Sequence, residues 1–202
     1  MEIIRNAETI APRRFENTAV TIGVFDGVHR GHAEVLRRLK ECAAERGRAA
    51  SVLVTFDRHP LSVTHPEMAP PLLTTLEEKL HVLAGFGIDV AIVEPFTRDT
   101  AGTDYATYLS GRLAGGLGMR SLVVGYDFHL GRGREGSQER LVSEGRRLGF
   151  DVSVVPPVVL QGSVVSSTKI RRDVAERRLE HAARFLARPY FFDAEVVPGE
   201  GI

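Results

Sequence analysis

The sequence predicts an α/β fold built on a doubly wound parallel sheet, and three observations carry that prediction. Short runs at Ala19 to Phe25, Ala49 to Phe56, Val90 to Val93, Ser121 to Gly125 and Val152 to Val155 are apolar almost throughout, as strands buried on both faces are. Between them lie segments whose apolar residues recur every three or four positions, which is helical periodicity. Polar, glycine- and hydroxyl-bearing loops follow the runs, where sheets of this type bind ligands. A chain of 202 residues is long enough for one good-sized core.

Taken in order, Glu2 to Arg5 reads as a short strand, followed by a Pro-containing connector to the first central strand. The next helix carries Val35, Leu36, Leu39 and Cys42 on its apolar face. After the second central strand comes the polar loop Thr55-Phe56-Asp57-Arg58-His59-Pro60. From Pro60 to Pro71 the segment holds four prolines without a period, which predicts an irregular loop able to move over a ligand. Thr75-Leu76-Glu77-Glu78 is a capping-box pattern, and Leu76, Leu80 and Leu83 outline a helix stopped by Gly85 and Gly87. A helix from about Asp104 to Leu113 is expected to bury Tyr105, Tyr108, Leu109 and Leu113; another runs from a Ser137 cap to Leu148, with Gly149 as its stop. Helices at 168–177 and 179–187 precede PYFFDAEVVPGEGI, a tail that alternates like a strand.

Twenty-six basic and 26 acidic side chains leave no global field to draw in nucleic acid or an anionic membrane. The lone Cys42 excludes an internal disulfide and suits a reducing compartment. No apolar run approaches a membrane span and the N-terminus lacks a signal-peptide order, so a soluble, cytoplasmic protein is expected.

The chemistry concentrates after the first central strand. There the chain breaks at Asp26-Gly27 and opens a helix with His29 and His32, three positions apart and so on one face. A helix N-terminus offers unpaired N–H groups and partial positive charge, which suit a phosphate. Imidazoles bonded to phosphoryl oxygens can stay protonated and offset charge built up in phosphoryl or nucleotidyl transfer. Gly23, Gly27 and Gly31 mark close approach of the backbone, here read as approach to a ligand. A helix cap alone, or a zinc site completed by Asp26, Asp57 and His59, is the competing reading of the same residues. A second phosphate-suited helix start is Val165-Ser166-Ser167-Thr168-Lys169-Ile170-Arg171-Arg172, whose hydroxyls and guanidinium fork match phosphate oxygens. Gly131 to Gly136 satisfies the dinucleotide pattern G-x-G-x-x-G but lies late and lacks the acidic partner, so it reads as a flexible, Arg-bearing anion loop.

With these residues in view, G-V-F-D-G-V-H-R-G-H resembles the H-x-G-H signature of nucleotidylyltransferases, and in its full form the FMN adenylyltransferase module of bacterial bifunctional FAD synthetases. T-F-D-R-H-P (55–60), V-V-G-Y-D-F-H-L-G (123–131) and S-S-T-K-I-R (166–171) match in order. The resemblance implies a Rossmann-like sheet and adenylyl transfer from ATP to FMN, giving FAD and pyrophosphate with Mg²⁺. It implies catalytic roles for His29, His32, Ser167, Thr168 and Arg171, and ATP contacts from Gly23, Phe25, Asp26, Gly27, Gly31 and Ser166. His59, Gly125, Asp127 and Phe128 fall on the FMN side, and Asp26 and Asp127 are candidate Mg²⁺ ligands. Arg58, where the family usually has Pro, and Leu130, where it has an aromatic, depart from the pattern, as do Thr64 and His65 in the proline-rich loop. Transfer to another phosphorylated acceptor, and a non-catalytic flavin or nucleotide binder, remain as alternatives. The resemblance divides the chain into a transferase module at 1–187 and the start of a riboflavin kinase module at 188–202. Because G-F-P-T-A-N never follows, no kinase activity is expected. The tail is expected to pack back on the sheet domain or to mediate a homodimer.

Overall fold

The computed structural model describes residues 1–5, 14–47 and 49–197; the Pro-containing connector and the last five residues of the tail lie outside them. Its centre is a six-stranded sheet of β1 (Glu2–Arg5), β2 (Thr18–Ile22), β3 (Ser51–Phe56), β4 (Val90–Glu94), β5 (Met119–Gly125) and β6 (Asp151–Val155), in the order β1-β4-β3-β2-β5-β6. Every pairing is parallel. β2, β3 and β4 are buried at every position, which explains why their sequences are apolar on both faces rather than alternating. From β2 the chain winds outward to β3 and β4, then returns to β5 on the other side of β2. This makes the crevice between β2 and β5 the topological switch point.

Helices cover both faces. On one, α1 (Arg30–Glu45) and α3 (Leu76–Ala84) bury Val35, Leu36, Leu39, Cys42, Leu80 and Leu83 against Ala19, Leu53, Ala91 and Val123. On the other, Tyr108, Leu109, Leu113 and Leu141 pack on Val20, Ile22, Val54, Ile92 and Leu122. α3 starts with the expected reciprocal cap between Thr75 and Glu78. A satellite cluster of Leu73, Val165, Ile170, Ala182, Phe185 and Leu186 joins α7 (Ser167–Ala175) and α8 (Leu179–Leu186) to the loop before α3.

Five local expectations are corrected. The proline-rich segment is not wholly irregular: it forms α2 (Leu61–Thr64) and a 3₁₀ turn at Pro66–Met68. An unanticipated short helix, α4 (Arg98–Gly102), precedes α5 (Tyr105–Thr107), and the chain then widens into a π-helix at Tyr108–Gly116, where the Ser110 hydroxyl donates to the Ala106 carbonyl (2.8 Å) and loosens the helical ladder. Tyr105 stays half-buried, unlike its three apolar companions. Ser137 stands at the N-cap of α6 (Gln138–Leu148), but its hydroxyl donates to Glu139 (2.7 Å) instead of capping. A small hairpin, β7 (Val159–Leu160) with β8 (Ser163–Val164), separates β6 from α7, and the tail forms no strand through Val197.

Candidate active site

The site grows from the turn between β2 and α1. Phe25 (φ 53°), Gly27 (φ 77°) and Val28 (φ 41°) all adopt the left-handed region, a conformation that costs Phe and Val energy and persists only when neighbours enforce it. Here they do. The Asp26 carboxylate, 4 % exposed, accepts from the backbone N–H groups of Leu73 (2.9 Å) and Thr74 (3.1 Å). Gly27 N–H donates to the Thr74 hydroxyl (3.1 Å), and the Ser167 hydroxyl donates to the Asp26 carbonyl (2.9 Å). Arg171 donates through Nη2 to Asp26 (2.6 Å) and through Nε to the Pro71 carbonyl (2.8 Å); Arg188 donates to the carbonyls of Gly27 (2.7 Å) and Val28 (3.0 Å).

The histidines leave this turn as a reciprocal cap. His29 Nδ1 accepts from the His32 N–H (3.2 Å), and His32 Nδ1 accepts from the His29 N–H (3.3 Å). Their rings stack 3.6 Å apart, with Phe25 tilted against His32. With both Nδ1 atoms occupied as acceptors, each neutral ring carries its proton on Nε2 and offers it as a donor. Burial pushes the His29 imidazolium down to about pKa 4, and burial together with the charges of His29 and Lys79 pushes His32 well below the usual range. In the protein alone both rings are therefore neutral at pH 7.

The remaining residues fall into three groups. Ser166 caps α7 by accepting from Lys169 N–H (3.3 Å), Ser167 and Arg171 are tied to Asp26, and Thr168 is exposed on the first turn. His59 lies close enough to Arg171, Asp26 and Lys79 to feel their charges, and burial lowers its pKa. Gly125, Asp127 and Phe128 form a tight turn at the end of β5 (Phe128 N–H to Gly125 carbonyl, 3.1 Å), with Asp127 exposed and Phe128 half-buried on the core. They share the sheet's carboxyl edge, but no hydrogen bond joins them to the histidine turn among the described residues.

Several sequence readings change. A Cβ on Gly27, at φ 77°, would sit 2.7 Å from Leu73, so the protein alone already demands that glycine; one on Gly23 or Gly31 would sit 3.1 Å from the Phe25 or His29 ring, a tight contact that requires the ring to give way slightly. Phe25 is buried in the core beside α1, where its ring supports the turn. The 131–136 loop is neither a dinucleotide fingerprint nor a free anion loop. Gly131 and Gly136 pack directly on Tyr105, the loop closes by a bridge between Leu130 and Gly136, and Arg134 is engaged with His129 (2.9 Å). Asp26 is no metal ligand, since its oxygens already serve two backbone donors and Arg171. Asp57 is likewise taken up by Phe96 N–H and Arg58, and among the described residues no three His, Cys, Asp or Glu side chains are disposed to hold a metal, which removes the zinc alternative.

The model of the FAD synthetase family matches residues 11–169. The chain belongs to the FAD synthetase family. It is 34 % identical over 200 residues to the bifunctional riboflavin kinase/FMN adenylyltransferase of Escherichia coli (strain K12), covering 99 % of this chain and 64 % of that protein. The corresponding Pseudomonas fluorescens protein is 35 % identical over 200 residues, covering 99 % of this chain and 63 % of its own length. The chain therefore spans about 64 % of the length of the curated relatives it matches. Among solved structures, one described as a macrolide-efflux protein from Streptococcus pneumoniae superposes with a TM-score of 0.82 at 22 % identity (94 % of this chain, 61 % of that one). Pantoate-β-alanine ligase from Francisella tularensis shares the fold more distantly, with a TM-score of 0.50 at 14 % identity, covering 90 % of this chain and 85 % of that one.

Two residues of this candidate site were missed from sequence. Lys79, 6 % exposed, donates to the Val24 carbonyl (3.1 Å), the Thr55 hydroxyl (3.0 Å) and the Phe56 carbonyl (3.0 Å), bridging the ends of β2 and β3. Burial without a paired carboxylate lowers its pKa to about 8. Its spacing held the signal, for it lies three residues after Leu76 and four before Leu83, on the apolar stripe of α3, where a lysine needs a reason. The other is Arg188, which gave no signal at all because its partners are backbone carbonyls 160 residues away.

Proposed function

We propose that this chain transfers AMP from ATP to FMN. An FMN phosphate oxygen attacks the α-phosphorus of ATP, a new P–O bond forms, and the bond to the β-phosphate bridging oxygen breaks, its electron pair leaving with pyrophosphate. The attacking phosphate is already ionised, so the residues have no base chemistry to perform; they orient the two nucleotides and stabilise charge. One observation carries the reading: two helix N-termini, α1 with its paired Nε2–H donors and α7 with Thr168, are joined through Asp26 at the switch point of the sheet. His29 and His32 would donate to the ATP phosphates, gaining protons as negative charge accumulates. Ser166 and Ser167 would act through the backbone they hold, while Thr168 and Arg171 face the triphosphate. His59 and the Gly125-Asp127-Phe128 turn would flank the flavin nucleotide. Mg²⁺ enters this reading as part of the ATP substrate, because the donor set around Asp26 is saturated; it would neutralise triphosphate charge.

On this reading residues 188–202 begin a second module, and Phe192, Val196 and Val197, exposed at 71 %, 96 % and 69 %, are where a homodimer contact would form. Incubation with ATP, Mg²⁺ and FMN, scored for FAD and pyrophosphate, is the test. FAD formation is the expected result. Product with CTP or another phosphorylated acceptor only would redirect the assignment, and ligand held without pyrophosphate release would make the protein a binder.

A further inference from the structure

The residue that ties the tail to the site is also the least explained residue of that site. α8 ends at Ala187 in the left-handed conformation (φ 61°), which turns the chain back and delivers Arg188 beneath the histidine turn. There Nη2 and Nη1 donate to the consecutive carbonyls of Gly27 and Val28 at 2.7 and 3.0 Å. Both carbonyls belong to residues with positive φ, and Val28 is the residue immediately before His29. No carboxylate pairs with Arg188 among the described residues; its Nε is buried without a partner, and Phe191 lies against the guanidinium plane (5.7 Å). A second tie comes from the same helix, where Arg30, the first residue of α1, donates to the Arg184 carbonyl (2.7 Å). Even a half-buried guanidinium without an anion carries a cost, and a surface tail could be glued down without one.

We propose that Arg188 is a positioning residue for adenylyl transfer: its planar fork fixes the Gly27 and Val28 carbonyls and thereby holds His29 and His32 in their reciprocal cap. This rests on the adenylyl-transfer reading above. It places part of the transferase machinery after residue 187, beyond the segment that the family model matches, so the tail belongs mechanically to the site. Only Arg offers two parallel donors in a rigid plane; an ammonium keeps the charge but not the fork.

The test compares Arg188→Ala and Arg188→Lys in the full chain, well below their melting temperatures and with the folded fraction measured. In the ATP, Mg²⁺ and FMN assay, Arg188→Ala is expected to lower kcat about tenfold or more with KM for ATP within about threefold, and Arg188→Lys to fall between it and the parent. Should Arg188→Ala fail to fold, Arg188→Lys carries the comparison. Imidazole NMR titration reads the same question without turnover. Arg188→Lys should shift the His29 and His32 ring signals although the charge is retained, and Arg188→Ala should also move the His29 titration upward by removing a neighbouring cation. Unchanged kcat in both variants, a loss that only follows the folded fraction, or His ring signals unmoved in Arg188→Lys would overturn the proposal. Were the parent to make no FAD, the transfer reading would fail, and the imidazole signals alone would decide the positioning role.

Discussion

Asp26→Ala is the perturbation on which the architecture of the site turns. The carboxylate is 4 % exposed and joins three segments: its own turn, Leu73 and Thr74 ahead of α3, and Arg171 on α7, whose side chain is itself only 15 % exposed. Removing one partner of a buried ion pair costs about 3–5 kcal/mol, and each orphaned buried N–H about 1–3 kcal/mol. These overlap in one small volume and do not add, so we take about 3–5 kcal/mol for the whole change. For a domain of this size each kcal/mol moves Tm by about 2–4 °C, which places Asp26→Ala about 6–20 °C below the parent. Asp26→Asn keeps an oxygen for Leu73 and Thr74 but abandons Arg171, and should fall between the two. Thermal unfolding followed by circular dichroism measures both, with FAD formation assayed at a temperature where each variant is folded. A Tm for Asp26→Ala within about 3 °C of the parent would show that the carboxylate does not organise the turn.

Acid should act through His29. Because the folded protein holds it at about 4 against 6.5 in an unfolded chain, the unfolded state binds more protons between those values; stability is full above about pH 6.5 and falls by about 3 kcal/mol as pH approaches 4, a loss that His29→Asn, which keeps a cap acceptor, should reduce in urea titrations at each pH. His32→Ala is expected to lower kcat about 10²-fold with little change in KM, and a purely KM effect in steady-state kinetics would contradict a transition-state role. Arg171→Lys should impair ATP use more than Arg172→Lys, since Arg171 spans Asp26 and Pro71 whereas Arg172 is 75 % exposed beside Glu176; equal small effects would return both to the solvated surface. Lys79→Met should reduce FAD formation while lowering Tm less than Asp26→Ala, because an unpaired buried cation contributes little to stability; the reverse order in melting and turnover would make Lys79 a structural strut.

The sequence by itself determined the sheet and the two phosphate-suited helix starts. Buried parallel strands must be apolar on both faces, and helices between them must be apolar on one, so β2 to β5 and α1, α3, α6 and α7 were written in local periodicity; β6 has the same apolar run, but at the edge of the sheet it buries only Val155 fully. His29 and His32 were legible for the same reason: a three-residue spacing on a helix is a local fact. What only the tertiary structure decided is what each polar group is for. Asp26 looked like a ligand to Mg²⁺ and is a structural hub, because Leu73, Thr74 and Arg171 reach it from 47, 48 and 145 residues away. Gly131 and Gly136 looked like an anion loop, yet they make room for Tyr105. Lys79 and Arg188 join the site through backbone carbonyls, and a carbonyl is the same in every residue; no pattern of side chains could announce which ones the fold would bring within reach.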